Sequence, residues 1–205
     1  MYPIILFLAI VIVVTILDVC SQIPKFYARK LTHMLCGIFI LMFDIIINGT
    51  RKNESQILGK SGTTDNEYGV YFIYIVAITS ILRCFFYPFR FGEYLDKGII
   101  VYNTIVALFF FFKLPLYVLT PIFFADPIAA IVGQYFSKRK IYKNKTLHGT
   151  LACFFVSLMS LFYVKNYIHA LILSTSLCLL ELYGGTLDNF FMCFPIIIYM
   201  VFFNV

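Results

Sequence analysis

The stretch FADPIAAIVGQYFSKRKIYKNKTLHGT, residues 124–150, sets the terms for the rest of the chain. It opens inside an apolar segment that carries one carboxylate, Asp126, beside Pro127. It then passes small residues and Gly133 and ends in the densest basic cluster of the sequence: Lys138, Arg139, Lys140, Lys143 and Lys145. A carboxylate inside a spanning segment costs about 2.5–3.5 kcal/mol on insertion scales, so a functional partner is expected for it. Pro127 has no amide hydrogen and is expected to break the helix there, freeing backbone groups for a cavity. An acid in apolar surroundings, a flexible turn and a run of cations are the parts that hold a metal-bound polyphosphate at a membrane surface.

The composition fixes the surroundings of this stretch. With 61% hydrophobic and 13% charged residues, a soluble domain of 205 residues could not cover its apolar surface. Apolar runs recur over Met1–Leu17, Met34–Ile47, Gly69–Phe89, Gly98–Tyr135, Gly149–Val164, Ile168–Tyr183 and Phe190–Val205. The run from Gly98 is too long for one helix, and Lys113 with Pro115 marks a turn between two spans. The expectation is an all-α, polytopic membrane protein of about eight transmembrane helices, forming one domain over residues 1–205. Met1–Leu17 lacks the basic start and the small-residue cleavage site of a signal peptide and reads as the first span. Asn48–Tyr68, rich in Gly, Ser, Thr and Asn, reads as a loop. The net charge of +6 sits in short loops, the ordinary pattern of cytoplasmic loops, which argues against a nucleic-acid partner. The six cysteines form no C-x-x-C pair and read as small packing residues.

Eight spans allow the connections to be sorted by side. With the basic loop 136–148 placed in the cytoplasm, that side also receives Lys25, Arg29, Lys30, Arg90 and Lys97. The opposite side receives Arg51, Lys52, Lys60, Lys113 and Lys165, a smaller set, as the positive-inside rule requires. The same sorting puts the sequons at Asn48 and Asn53 on the non-cytoplasmic face, which for a eukaryotic source fits the endoplasmic reticulum membrane. It also gathers Arg29, Lys30 and His33, the acids Glu181 and Asp188, and Asn189 on the side of the basic loop.

Taken alone, Arg29-Lys30-Leu31-Thr32-His33 reads as a basic collar for anionic lipid, with Arg29 and His33 one helical turn apart. Asp44 and Arg83, in adjacent expected spans, read as a neutralising pair. Gly184-Gly185 should end a helix between Glu181 and Asp188. Glycines at Gly133 and Gly149 would let backbone approach phosphates closely. No G-x-x-x-x-G-K-[ST] loop occurs.

These residues, in this order, resemble the polyprenol kinase family, which includes dolichol, phytol and farnesol kinases and CTP-dependent diacylglycerol kinases. That family's pattern runs roughly G-D, Ala, G-x-x-F-G, then a basic stretch ending K-[ST]-x-E-G-[ST]. Here the corresponding residues are Ala125-Asp126, Ala129-Ala130, Gly133, Phe136-Ser137 and Lys145-Thr146-Leu147-His148-Gly149-Thr150. Arg29, Lys30 and His33 match an R-K-x-x-H element, and Glu181, Asp188-Asn189 and Pro195 a late acidic one. Ala125, Ser137 and His148 depart from the Gly, Gly and Glu usual at those places. Gly92-Glu93-Tyr94-Leu95-Asp96-Lys97-Gly98 leans toward the phytol-kinase branch.

The resemblance implies transfer of the γ-phosphate of CTP to the hydroxyl of a membrane lipid alcohol, with Mg²⁺ as cofactor. It makes 124–150 a nucleotide-binding segment, with Gly133, Lys138, Arg139, Lys143, Lys145, Thr146, Gly149 and Thr150 around the nucleotide. It gives Asp126 and Asp188 to the metal, Glu181 or Asp126 to the alcohol proton, and Arg29, Lys30 and His33 to charge neutralisation. A cytidylyltransferase that joins CTP to a lipid phosphate would use the same residue types. A multi-span transporter or structural protein would need none of them.

Overall fold

The computed structural model describes the backbone of residues 2–58, 65–136 and 140–203, and the side chains of 4–46, 70–136 and 140–203. Among the described residues the chain is all-α. Eight helices follow the apolar runs: α1 Tyr2–Val19, α2 Lys25–Leu58, α3 Asp65–Phe86, α4 Lys97–Phe111, α5 Thr120–Phe136, α6 Leu147–Ser160, α7 Tyr167–Gly184 and α8 Asp188–Phe203. Short 3₁₀ turns at Leu116–Leu119 and Gly185–Leu187 precede α5 and α8. A small antiparallel hairpin, β1 Lys140–Tyr142 and β2 Lys145–Thr146, joins α5 to α6.

Side chains and special backbone conformations set the helix ends. Asp96, Thr146 and Asn166 cap α4, α6 and α7, each accepting a hydrogen bond from an amide of the first turn. Gly185, at φ 64°, stops α7 where the glycine pair required it. Lys113, at φ 54°, turns the chain between α4 and the 3₁₀ segment before α5.

Two expectations about local structure fail. The loop expected over Asn48–Tyr68 is largely helical, because α2 runs on to Leu58 and α3 begins at Asp65. Extending a nucleated helix costs little per residue, and Arg51, Lys52, Glu54 and Gln56 are good helix formers. The sequon side chains at Asn48 and Asn53 lie outside the described residues. Pro127 does not break α5, which runs through it. An interior proline costs about 3 kcal/mol, and here the ring is fully buried, so packing offsets the lost backbone bond.

The chain contains two compact units: Met1–Ala28 with Leu35–Tyr117, and Arg29–Met34 with Val118–Val205. In the first, α3 packs on α1 and α4 around Ile10, Leu17, Ile73, Ala77 and Phe109, and Phe43 meets Phe110 edge-on. In the second, α5, α6, α7 and α8 pack in sequence and α8 returns against α5, burying Ile122, Phe123, Leu161, Leu177, Met192 and Ile196. Two helical stretches, Leu116–Phe136 and Tyr167–Phe203, are long and apolar enough to cross a membrane. Four further apolar helices are shorter: Ile4–Val19, Val70–Phe86, Lys97–Phe111 and Leu147–Ser160.

Candidate functional site

Within the second unit, residues far apart in sequence meet around Asp126. The carboxylate sits in the middle of α5 and is 3% exposed. Lys30, from the start of α2, donates to both its oxygens, at 3.1 and 2.8 Å. His33, one turn further on, brings Nδ1 to 3.7 Å from Asp126 Oδ2. The pairing across 96 positions answers the cost of the buried acid. Of R-K-L-T-H, Lys30 and His33 approach Asp126, and the segment is helical, so Arg29 and His33 stand one turn apart as expected.

A second lysine arrives from the other direction. Lys145, on β2, donates to Glu181 Oε1 near the end of α7 and, at 3.3 Å, to Asp188 Oδ2 at the start of α8. Glu181 is 2% exposed, so this lysine is its principal compensation. Oxygen atoms of Asp126, Glu181 and Asp188 all lie within 4.8 Å of one another. These groups meet around a single point.

The electrostatics leave the cluster short of positive charge. Burial pushes the His33 imidazole down to about 4 against the pull of Asp126, so it is neutral at pH 7. Burial also works against the Lys145 ammonium, but Glu181 and Asp188 hold its pKa above the ordinary lysine range. Three carboxylates therefore face two ammonium groups. Asn189, beside Asp188 and only 5% exposed, has a side-chain oxygen that accepts no hydrogen bond among the described residues. Hard oxygen donors in this number and spacing suit a small divalent cation.

Other expected site residues take structural positions. Thr146 caps α6 through Gly149 N at 3.3 Å, and Thr150 donates back to the Thr146 carbonyl at 3.0 Å. Gly133 and Gly149 face each other where α5 crosses α6. A Cβ on Gly149 would stand 2.7 Å from the Ala129 carbonyl oxygen, and one on Gly133 2.7 Å from the Thr146 hydroxyl. Helix contact thus accounts for both glycines without a phosphate. Lys143 and His148 are exposed, and Lys138 and Arg139 lie outside the described residues.

Arg83 does not pair with Asp44 as expected. In the first unit it reaches Asp18 at 2.8 Å. Adjacent apolar runs fix neither depth nor rotation, so sequence proximity of spans misassigned the partner. Sequence reading also missed the hairpin that carries Lys145, although Lys143-Asn144 between β-compatible residues was its signal. Cys36, Cys84, Cys153, Cys178 and Cys193 are buried, in keeping with their reading as packing residues.

No family model, curated protein or solved structure matches the chain.

Proposed function

We propose that the protein is an integral-membrane lipid kinase that transfers the γ-phosphate of CTP to the hydroxyl of an isoprenoid alcohol of the phytol, farnesol or dolichol type. The observation that carries this reading is the buried meeting of Asp126, Glu181 and Asp188 with Lys30 and Lys145, drawn from five separate elements. A merely structural ion pair needs one acid and one base. Here the acids outnumber the lysines, and the Asn189 side-chain oxygen beside them accepts no hydrogen bond among the described residues.

In this mechanism Asp126 and Asp188 would hold Mg²⁺, with Asn189 beside them. The bound ion supplies charge neutralisation to the phosphate oxygens. Lys145 leaves its acids to engage the triphosphate, joined by Lys143 and by Lys138 and Arg139 of the same loop. Lys30, with Arg29, balances charge at the transferred group; His33, expected to share this role, is neutral at pH 7 and adds no charge. The alcohol oxygen forms a bond to the γ-phosphorus as the bond to the bridging oxygen breaks, CDP leaves, and Glu181 takes the alcohol proton. Positioning and charge neutralisation carry most of the rate in such a transfer.

The same reading makes the chain multi-pass, with eight spans, the loop 136–148 in the cytoplasm and the endoplasmic reticulum as its membrane in a eukaryote. Supporting it, α1, α3, α6, α7 and α8 present large apolar side chains outward, among them Ile12, Ile16, Ile78, Met159, Ile172 and Phe202. Isolated membranes incubated with labelled CTP and a panel of lipid alcohols and diacylglycerol test the proposal. γ-Labelled CTP should mark the alcohol and α-labelled CTP should not. The reverse pattern, on a lipid phosphate, identifies a cytidylyltransferase. No labelled lipid with any acceptor leaves a transporter or structural role.

A further inference from the structure

Beside the acid–lysine cluster stands a pair of aromatic rings that the proposed chemistry does not use. Tyr142 ends β1 and Tyr183 lies two residues beyond Glu181 on α7. Their centroids are 5.1 Å apart, with ring planes at 66°. Both rings are open to ligand, Tyr142 at 36% and Tyr183 at 59% exposure. Tyr142 is also the cross-strand partner of Lys145, the residue that bonds Glu181 and Asp188. The rings are therefore tied to the polar cluster from both sides, through the hairpin and through the last turn of α7.

Two further observations bear on what they meet. Lys143 brings Nζ to 5.2 Å from the Tyr142 centroid, so a cation already occupies the electron-rich face. Lys143 also holds φ 48°, a left-handed conformation that a non-glycine residue adopts at a cost. The turn thus sets Tyr142 and Lys143 together on the hairpin that carries Lys145. A ligand with a polyanionic end and a flat π-system matches this order of groups: lysines and acids inside, aromatic faces and one cation outside.

We infer that Tyr142 and Tyr183 form the seat of the nucleobase, stacking the cytosine of the donor while Lys145 engages its triphosphate. The inference rests on the nucleotide-site reading above and adds to it the residues that select a nucleoside triphosphate over a bare polyphosphate. Stacking on an aromatic side chain changes affinity about tenfold or more per base. It tolerates different bases, so the rings favour any nucleobase over none.

The chain contains no tryptophan, so Tyr142→Trp in the full-length protein gives a single indole fluorophore at the seat. CTP with Mg²⁺ should quench it saturably. Inorganic tripolyphosphate, at concentrations that displace labelled CTP, should leave it unchanged. Independently, Tyr142→Ala and Tyr183→Ala should each weaken labelled-CTP binding about tenfold and leave tripolyphosphate competition unaltered, while Tyr142→Phe binds as wild type. Equal CTP affinity in wild type and both alanine variants overturns the base seat and leaves the triphosphate site standing. Absence of CTP binding by wild type, with the indole of the Tyr142→Trp variant quenched by brominated acyl chains, overturns both and makes the ring a membrane-interface residue.

Discussion

The two units each contain a cluster of charged side chains, and the clusters are built on opposite plans. In the first unit, Asp18 near the end of α1 accepts from Arg83 Nη2 at 2.8 Å and from the Arg90 amide at 2.6 Å. The Arg90 guanidinium then spreads over the carbonyls of Asp18, Ile23 and Leu17, at 2.9 to 3.0 Å. Arg83 also lies 4.0 Å from the Phe89 ring centroid. One acid meets one guanidinium and one backbone amide, and the second guanidinium is spent on backbone carbonyls at and just beyond the end of α1. In the second unit three acids meet two lysines, whose flexible stems and point charges suit exchange of partners. Fixed forks on backbone make a clasp. Mobile ammonium groups on surplus carboxylates make a site that a ligand can re-partner.

Substitutions can break this contrast, and the largest effects are expected in the second unit. Asp126→Asn and Lys145→Ala should each lower transfer of γ-label to lipid alcohol by about a hundredfold or more. Their thermal midpoints should move less than their activities. Full activity in Asp126→Asn would remove the basis for the site. Next comes Arg90→Ala, which should cost about 2–4 kcal/mol by freeing three carbonyls and disturbing the Asp18 pairing. It would be read as a lower midpoint of helix loss by circular dichroism in detergent, with kcat per folded molecule retained. Equal loss of transfer in Arg90→Ala and Lys145→Ala at unchanged stability would erase the distinction between clasp and site.

Smaller effects sharpen the picture. Gly149→Ala should destabilise by about 1–3 kcal/mol, because the new methyl must displace the Ala129 carbonyl. His148→Ala, at an exposed position, should change stability by less than about 0.5 kcal/mol and leave label transfer near wild type. A large loss of transfer in this variant would give His148 a place in the chemistry that its exposure does not suggest.

Much of this architecture was written in the order of residues. Apolar runs located the eight helices, Gly184-Gly185 marked the break before α8, and the Lys113–Pro115 turn divided the longest run. Sorting connections by side predicted which polar groups would gather, and Lys30, His33, Asp126, Lys145, Glu181 and Asp188 do gather. What stayed hidden was rotation and depth. That Lys30 reaches Asp126, and that Arg83 chooses Asp18 over Asp44, was not legible, because spacing along one helix cannot fix its angle to another. Pro127 misled for the converse reason: local propensity forbids it, and burial on all sides overrules propensity. The glycines at 133 and 149 have a helix crossing behind them, which a phosphate-loop reading of the same residues could not distinguish.

Thr146 has a consequence for how this chain can change in length. Its hydroxyl receives the Gly149 amide and rests 2.7 Å from where a Cβ on Gly133 would stand, so the start of α6 is registered against α5 at one atom. Lys145 is the adjacent residue and inherits that register. A single insertion between Lys145 and Gly149 would break that register and move the ammonium from Glu181 and Asp188. The three positions after Lys145 are therefore a ruler.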